Sequence, residues 1–127
     1  MLTTAELRRG FWCECWTEDV TGGQPPAFVA SFGADTAVQA DRWVAIILRT
    51  ITPMLDPEAC DDAWDWLYDG RVETRQALLR AEPCKVRVSQ ADTCVTWTIR
   101  PALFLPLAHR QGVELPACTE DFKPQQT

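Results

Sequence analysis

Several residue types and motifs are scarce in this chain, and each scarcity narrows the possible functions. His109 is the one histidine among 127 residues, so cysteine or serine chemistry would have a single conventional base. The Gly-x-Ser-x-Gly elbow, the Walker loop and the Gly-x-Gly-x-x-Gly fingerprint do not occur. The sequence therefore favours a protein that is not an enzyme, and it predicts no catalytic residue and no cofactor.

Long apolar runs are also missing. The first nine residues lack the apolar core of a secretory signal, and no stretch approaches the roughly eighteen apolar residues that cross a bilayer. The longest apolar segment, 43–48, suits a buried helix face. We therefore expect a cytoplasmic protein that has no membrane partner.

Paired metal ligands are scarce although the chain contains six cysteines. Cys13 and Cys15 form one close pair, whereas structural zinc sites usually take two ligand pairs. The remaining cysteines are isolated in the sequence: Cys60, Cys84, Cys94 and Cys118. Because a reducing compartment disfavours disulfides, we expect six free thiols and no metal site.

Basic residues are outnumbered, since 12 Lys and Arg stand against 18 Asp and Glu, which gives a net charge of −6. This balance repels nucleic-acid phosphates and anionic lipids, and it serves either solubility or the binding of a basic protein. A local excess of basic residues comprises Arg71, Arg75, Arg80, Lys85 and Arg87. That strip suits either phosphate binding or salt bridges with neighbouring acidic residues, and we expect nucleic-acid binding to be the least favoured function.

An apolar content of 46% can bury the core of one domain, which we place at residues 1–122, followed by a disordered tail at 123–127. The predicted elements, in chain order, are a short helix at 4–9, strands at 11–18 and 27–32, a helix from Thr36 to Pro53, a helix from Asp56 that breaks near Gly70, a helical stretch at 71–82, and strands at 84–90 and 94–100. This order favours an α+β fold, in which one antiparallel sheet of about four strands carries two or three helices on one face.

The first predicted strand has large side chains on both faces. Period-two alternation places Cys13 and Cys15 on one face, and Trp12, Glu14 and Trp16 on the other. We expect one face to pack against the helices. Because the other face also carries large apolar side chains, we expect it to be covered by segment 103–115, by a second copy of the chain in a homodimer, or by a ligand. A ligand would make the protein a small-ligand-binding domain or a small dimeric enzyme. The aromatic pocket of that alternative would be lined by Trp12, Glu14, Trp16, Trp97 and His109.

The segment 56–69 contains six acidic residues and no basic residue. At about 100° per residue, five carboxylates share one side of a helix: Glu58, Asp61, Asp62, Asp65 and Asp69. We call these five residues the acidic ridge. The same periodicity places Trp66 and Tyr68 on its flanks and Trp64 in the core, together with Trp43 and Ile47 of the preceding helix.

Aromatic groups beside charge are typical of protein interfaces. The sequence therefore predicts a small acidic binding protein that engages a basic protein partner through the acidic ridge, Trp66 and Tyr68. Its size and charge suit the inhibitors and immunity proteins of bacterial conflict systems, including those that mimic nucleic acid. The remaining interpretation of the ridge is a solvated helix face without a partner.

Overall fold

The computed structural model describes residues 7–105, which divide into two compact units, one of Gly10–Pro101 and one that includes 7–9 and 102–105. The elements are strands β1 (Arg8–Asp19) and β2 (Ala27–Ala34), helices α1 (Ala37–Ile51), α2 (Pro57–Asp65) and α3 (Arg71–Leu79), and strands β3 (Cys84–Gln90) and β4 (Thr93–Phe104). The predicted tail at 123–127 lies outside the described residues. In the smaller unit, the Arg8 guanidinium lies over the Phe104 ring, 5.2 Å from its centroid.

The four strands form one antiparallel sheet in the order β2-β1-β4-β3, which confirms the predicted α+β class. The backbone N–H of Val20, just after β1, donates to the carbonyl of Asp92, just before β4, at 2.8 Å. The predicted helix at 4–9 is wrong for its last two residues, because Arg8 and Arg9 belong to β1. Pairing with neighbouring strands overrides a local capping signal there.

The two faces of β1 follow the predicted alternation. Cys13 and Cys15 are buried in the core, while Trp12, Glu14 and Trp16 are half-buried on the other face. The β1–β2 register shifts at one point, where Cys15 pairs with Ala30 and Trp16 with Phe28, so Val29 is an extra residue in β2. This bulge turns Phe28 to the same face as Trp16.

Helix α1 begins at the predicted cap, where the Thr36 hydroxyl accepts a hydrogen bond from the Gln39 backbone N–H at 3.1 Å. Val44 and Leu48 are fully buried against the sheet. Trp43 and Ile47 are half-buried and pack against this core, and the Trp43 ring stacks on Phe32 with centroids 5.9 Å apart. The predicted inward face of α1 is therefore the one that covers β2.

The second helical segment runs without a break from Pro57 to Leu79, because a π turn at Trp66–Gly70 joins α2 to α3. The predicted break at Gly70 is wrong, since Gly70 keeps helical dihedral angles. Asp56 caps the segment as predicted and accepts from the Ala59 N–H at 2.8 Å. Across the part of the chain that is described, no helix is long and apolar enough to cross a membrane.

The buried stripe of this segment is narrow and consists of Ala59, Ala63 and Leu67, followed by Leu78 near the end of α3. The predicted core position of Trp64 is wrong, because this side chain is 37% exposed. Trp66 packs against the core instead. Because alanine side chains are small, the helix packs closely against β3 along this stripe. Trp64 lies about 100° around the helix axis from the stripe and therefore stays at the surface.

Candidate functional site

Two surfaces of the larger unit concentrate chemically distinctive groups, and the acidic ridge is the first. All five of its carboxylates are exposed: Glu58, Asp61, Asp62, Asp65 and Asp69. None of them forms a salt bridge with a cation among residues 7–105. The ridge is thus a row of like charges that this part of the chain leaves uncompensated.

An exposed aromatic pair lies on the same helical segment as the ridge. Trp64 and Tyr68 stack with ring centroids 5.6 Å apart, and Tyr68 is 73% exposed. Trp66, predicted as a flanking anchor, is half-buried, and its indole N–H donates to the Thr74 hydroxyl at 3.1 Å. The spacing of four residues between Trp64 and Tyr68 is the sequence signal that identifies the stacked pair.

The predicted basic strip is mostly paired within the fold. Arg71 and Arg75 both bind the carboxylate of Asp41, at 2.6 and 2.7 Å. Arg80 pairs with Glu82 at 3.1 Å. Little unpaired positive charge therefore remains along this strip for a phosphate.

The second surface is the sheet face that the helices leave uncovered. The indole N–H of Trp12 donates to Glu14 Oε2 at 2.7 Å, and that of Trp16 donates to Oε1 at 3.0 Å. We call these three residues the Trp–Glu–Trp clamp. Phe28 extends it, because its ring meets Trp16 edge to face with centroids 5.3 Å apart.

The clamp stabilises the ionised form of its carboxylate. Hydrogen bonds from Trp16 and then Trp12 lower the pKa of Glu14 below its ordinary value of 4.5, with a smaller contribution from the charge of Arg100, while partial burial opposes the shift. Glu14 is therefore a carboxylate of fixed orientation that stays charged at neutral pH.

The structure brings together only part of the predicted ligand pocket. Trp97 is completely buried in the same core as Cys13 and Cys15, on the helix side of the sheet, so it does not share a face with the clamp. Its indole N–H has no hydrogen-bond partner in the described chain. His109 lies outside the described residues.

The cysteines differ in environment. Burial raises the pKa of Cys13 to about 12 and that of Cys15 to about 11. At Cys94 burial acts in the same direction, but hydrogen bonds from Ser89, Arg87 and Thr96, together with the Arg87 charge, outweigh it and lower the pKa.

Five cysteines are described as free thiols, while Cys118 lies outside the described residues. Within 7–105, no group of three or more His, Cys, Asp or Glu side chains is placed to hold a metal ion.

No protein-family model, curated protein or solved structure matches the chain. The function is therefore inferred from the chemistry of the two surfaces.

Proposed function

We propose that the protein is a small non-enzymatic binding protein whose acidic ridge engages a basic protein partner, in the manner of an inhibitor or immunity protein. One observation carries the proposal: five exposed carboxylates, which form no salt bridge within residues 7–105, lie on the same helical segment as an exposed aromatic stack. Tyr68 was predicted to flank the ridge and stacks on Trp64, whereas Trp66 is half-buried, so the proposal takes Trp64 and Tyr68 as the aromatic anchors.

Electrostatics favours a partner of opposite charge. Like charges spaced three and four residues apart on a helix destabilise it by a few tenths of a kcal/mol per pair, so the ridge does not serve stability. Complementary charges on a partner relieve this repulsion and raise the rate of encounter. A row of carboxylates also suits a site that otherwise binds phosphates, so the ridge is expected to compete with nucleic acid for such a partner.

The aromatic pair supplies the apolar contact that charge alone lacks. Trp and Tyr are enriched among the residues that contribute most to binding, because they bury a large area at low entropic cost. Trp64 and Tyr68 are already stacked on each other, so little side-chain freedom remains to be lost on association.

The test compares capture of basic proteins from host lysate by three baits: the wild-type protein, Asp62→Lys/Asp65→Lys/Asp69→Lys, and a matched control, Glu18→Lys/Glu82→Lys/Asp92→Lys. Three reversals add six charges in either variant, so both move the net charge from −6 to zero. The control residues are on the surface, and their ion pairs contribute about 0–1 kcal/mol each. Proteins bound by the wild type and the control, and lost from the ridge variant, are the expected result.

Titration of a captured partner then measures the aromatic contribution. Trp64→Ala/Tyr68→Ala is expected to weaken binding by about 2 kcal/mol or more. Its folding free energy should change by about 1–3 kcal/mol, since Tyr68 is largely exposed and Trp64 is 37% exposed. Equal affinity of the ridge variant and the matched control would overturn the proposal and leave the ridge as a solvated face.

The alternative pocket has no comparable support among residues 7–105. Trp97 faces the core rather than Trp12 and Trp16, and the segment that would close the pocket is described only as far as Leu105. We therefore do not propose a small-ligand or enzymatic function for this protein.

A further inference from the structure

We propose that the Trp–Glu–Trp clamp is a binding site for an arginine side chain of a protein partner. This site lies on the sheet face that the helices leave uncovered, so it is separate from the acidic ridge on the helical layer. The inference extends the proposed binding function to a second surface, and it is tested by a probe that does not need the ridge.

The carboxylate of Glu14 is held in place before any ligand arrives. Each oxygen accepts one indole N–H, from Trp12 or Trp16, and a carboxylate has about four lone-pair positions. About two positions therefore stay available for a second donor pair. The forked N–H groups of a guanidinium match such a carboxylate better than a single ammonium does.

Aromatic rings form the walls beside this carboxylate. Trp16 and Phe28 meet edge to face, and Phe28 is 53% exposed. The negative face of an indole attracts a cation, and a planar guanidinium also stacks on it. Side chains of this kind exclude water from the charge pair and strengthen it relative to an exposed salt bridge.

No cation of the described chain occupies the clamp. Glu14 forms no salt bridge within residues 7–105. Arg100 influences it only through its charge, while Arg87 is engaged by Glu18 at 3.6 Å and by the Cys94 sulfur at 3.3 Å. Arg100 offsets the negative charge of Glu14 only at a distance, so the carboxylate between apolar rings still favours a cation over an anion such as a phosphopeptide.

The test uses nuclear magnetic resonance of protein labelled with ¹⁵N, in which each indole N–H gives its own signal. The probe is N-acetyl-arginine amide. Its matched control is N-acetyl-citrulline amide, which has nearly the same shape without the charge, and the lysine analogue tests the preference for a planar cation. We expect the Trp12 and Trp16 signals to shift with the arginine probe at a dissociation constant on the order of millimolar.

Variants locate the site. Glu14→Gln keeps a hydrogen-bond acceptor but removes the charge, and it should weaken arginine binding about tenfold or more. Glu18→Gln, four residues along the same strand face, should bind normally. Asp62→Lys/Asp65→Lys/Asp69→Lys should also bind normally, so failure at the clamp and failure at the ridge are distinguishable.

Three results would overturn the site: equal shifts with citrulline, unchanged affinity in Glu14→Gln, or indole shifts that follow protein concentration instead of the probe. The last result would show that a second copy of the chain covers this face. If Glu14→Gln does not fold, Glu14→Asp decides the question, because it keeps the charge but draws the carboxylate away from the two indole donors and the rings. Full arginine affinity in that folded variant contradicts the proposal.

Discussion

Cys13 and Cys15 illustrate how a single side chain's environment controls its chemistry. Both thiols are buried between the sheet and the helices, and burial disfavours the charged thiolate. Because the thiolate is the nucleophile and the metal ligand, the closely spaced pair acts as two small core residues.

Alkylation of the native protein at about pH 8 should therefore spare Cys13 and Cys15 and label the partly exposed Cys60. A pKa of about 11 instead of 9.0 lowers the thiolate fraction of Cys15 on the order of a hundredfold, before access is considered. Peptide mapping by mass spectrometry measures the labelling, and the denatured protein serves as the control in which all three should react. Rapid native labelling of Cys13 would contradict its buried position.

The π turn at Trp66–Gly70 has a local cause that can be tested. A Cβ atom placed on Gly70 would lie 2.6 Å from Cδ1 of Trp66, so the turn needs glycine where the indole ring passes. The ring cannot move away freely, because its N–H is bound to Thr74 at 3.1 Å. Glycine here permits close packing and does not end the helix.

Gly70→Ala should therefore destabilise the protein by about 1–3 kcal/mol through the clash. In an ordinary helix interior the same change is expected to stabilise by about 1 kcal/mol. The matched control is the same substitution in a Trp66→Ala background, where the ring is absent and the stabilising sign should return. Urea unfolding measures all four proteins, and a stabilising effect of Gly70→Ala in the wild-type background would refute the packing argument.

In the larger unit, a buried ion pair links the two helical segments. Asp41 on α1 is completely buried and accepts hydrogen bonds from Arg71 and Arg75, which belong to α3. Only Asp41 is fully buried, so loss of both arginines would leave its charge unpaired in the core, which costs far more than the intact ion pairs contribute. The pair thus opposes any sliding of one helical segment against the other.

Asp41→Ala is expected to lower the free energy of unfolding by about 2–3 kcal/mol, since its charged hydrogen bonds are lost while the two guanidinium groups left behind are partly exposed. Arg42→Ala, at the next position of α1 and exposed, is the matched control and should change stability by less than about 0.5 kcal/mol. Denaturant titration followed by circular dichroism compares the variants. Equal midpoints for the two would show that the buried pair is not a constraint on the fold.

Local sequence patterns predicted much of this fold and one of the two candidate surfaces, the acidic ridge. Period-two alternation identified the strands and put Cys13 and Trp12 on opposite faces, because successive side chains of a strand point to opposite sides. The caps at Thr36 and Asp56 were predictable, since each bonds a backbone N–H three residues on. The exposed acidic ridge follows from helical periodicity in the same way.

Tertiary contacts decided the features that span long distances in the chain. The strand order, the bulge at Val29 and the placement of Trp97 away from Trp12 depend on cross-strand pairing, which no local pattern encodes. The exchange of Trp64 and Trp66 between surface and core depends on the packing of the Ala59 and Ala63 stripe against β3, which sets the face of the helix that turns inward and which helical periodicity alone does not specify. Sequence determines which groups are near neighbours along an element, whereas only the packed fold determines which elements meet and which face stays uncovered.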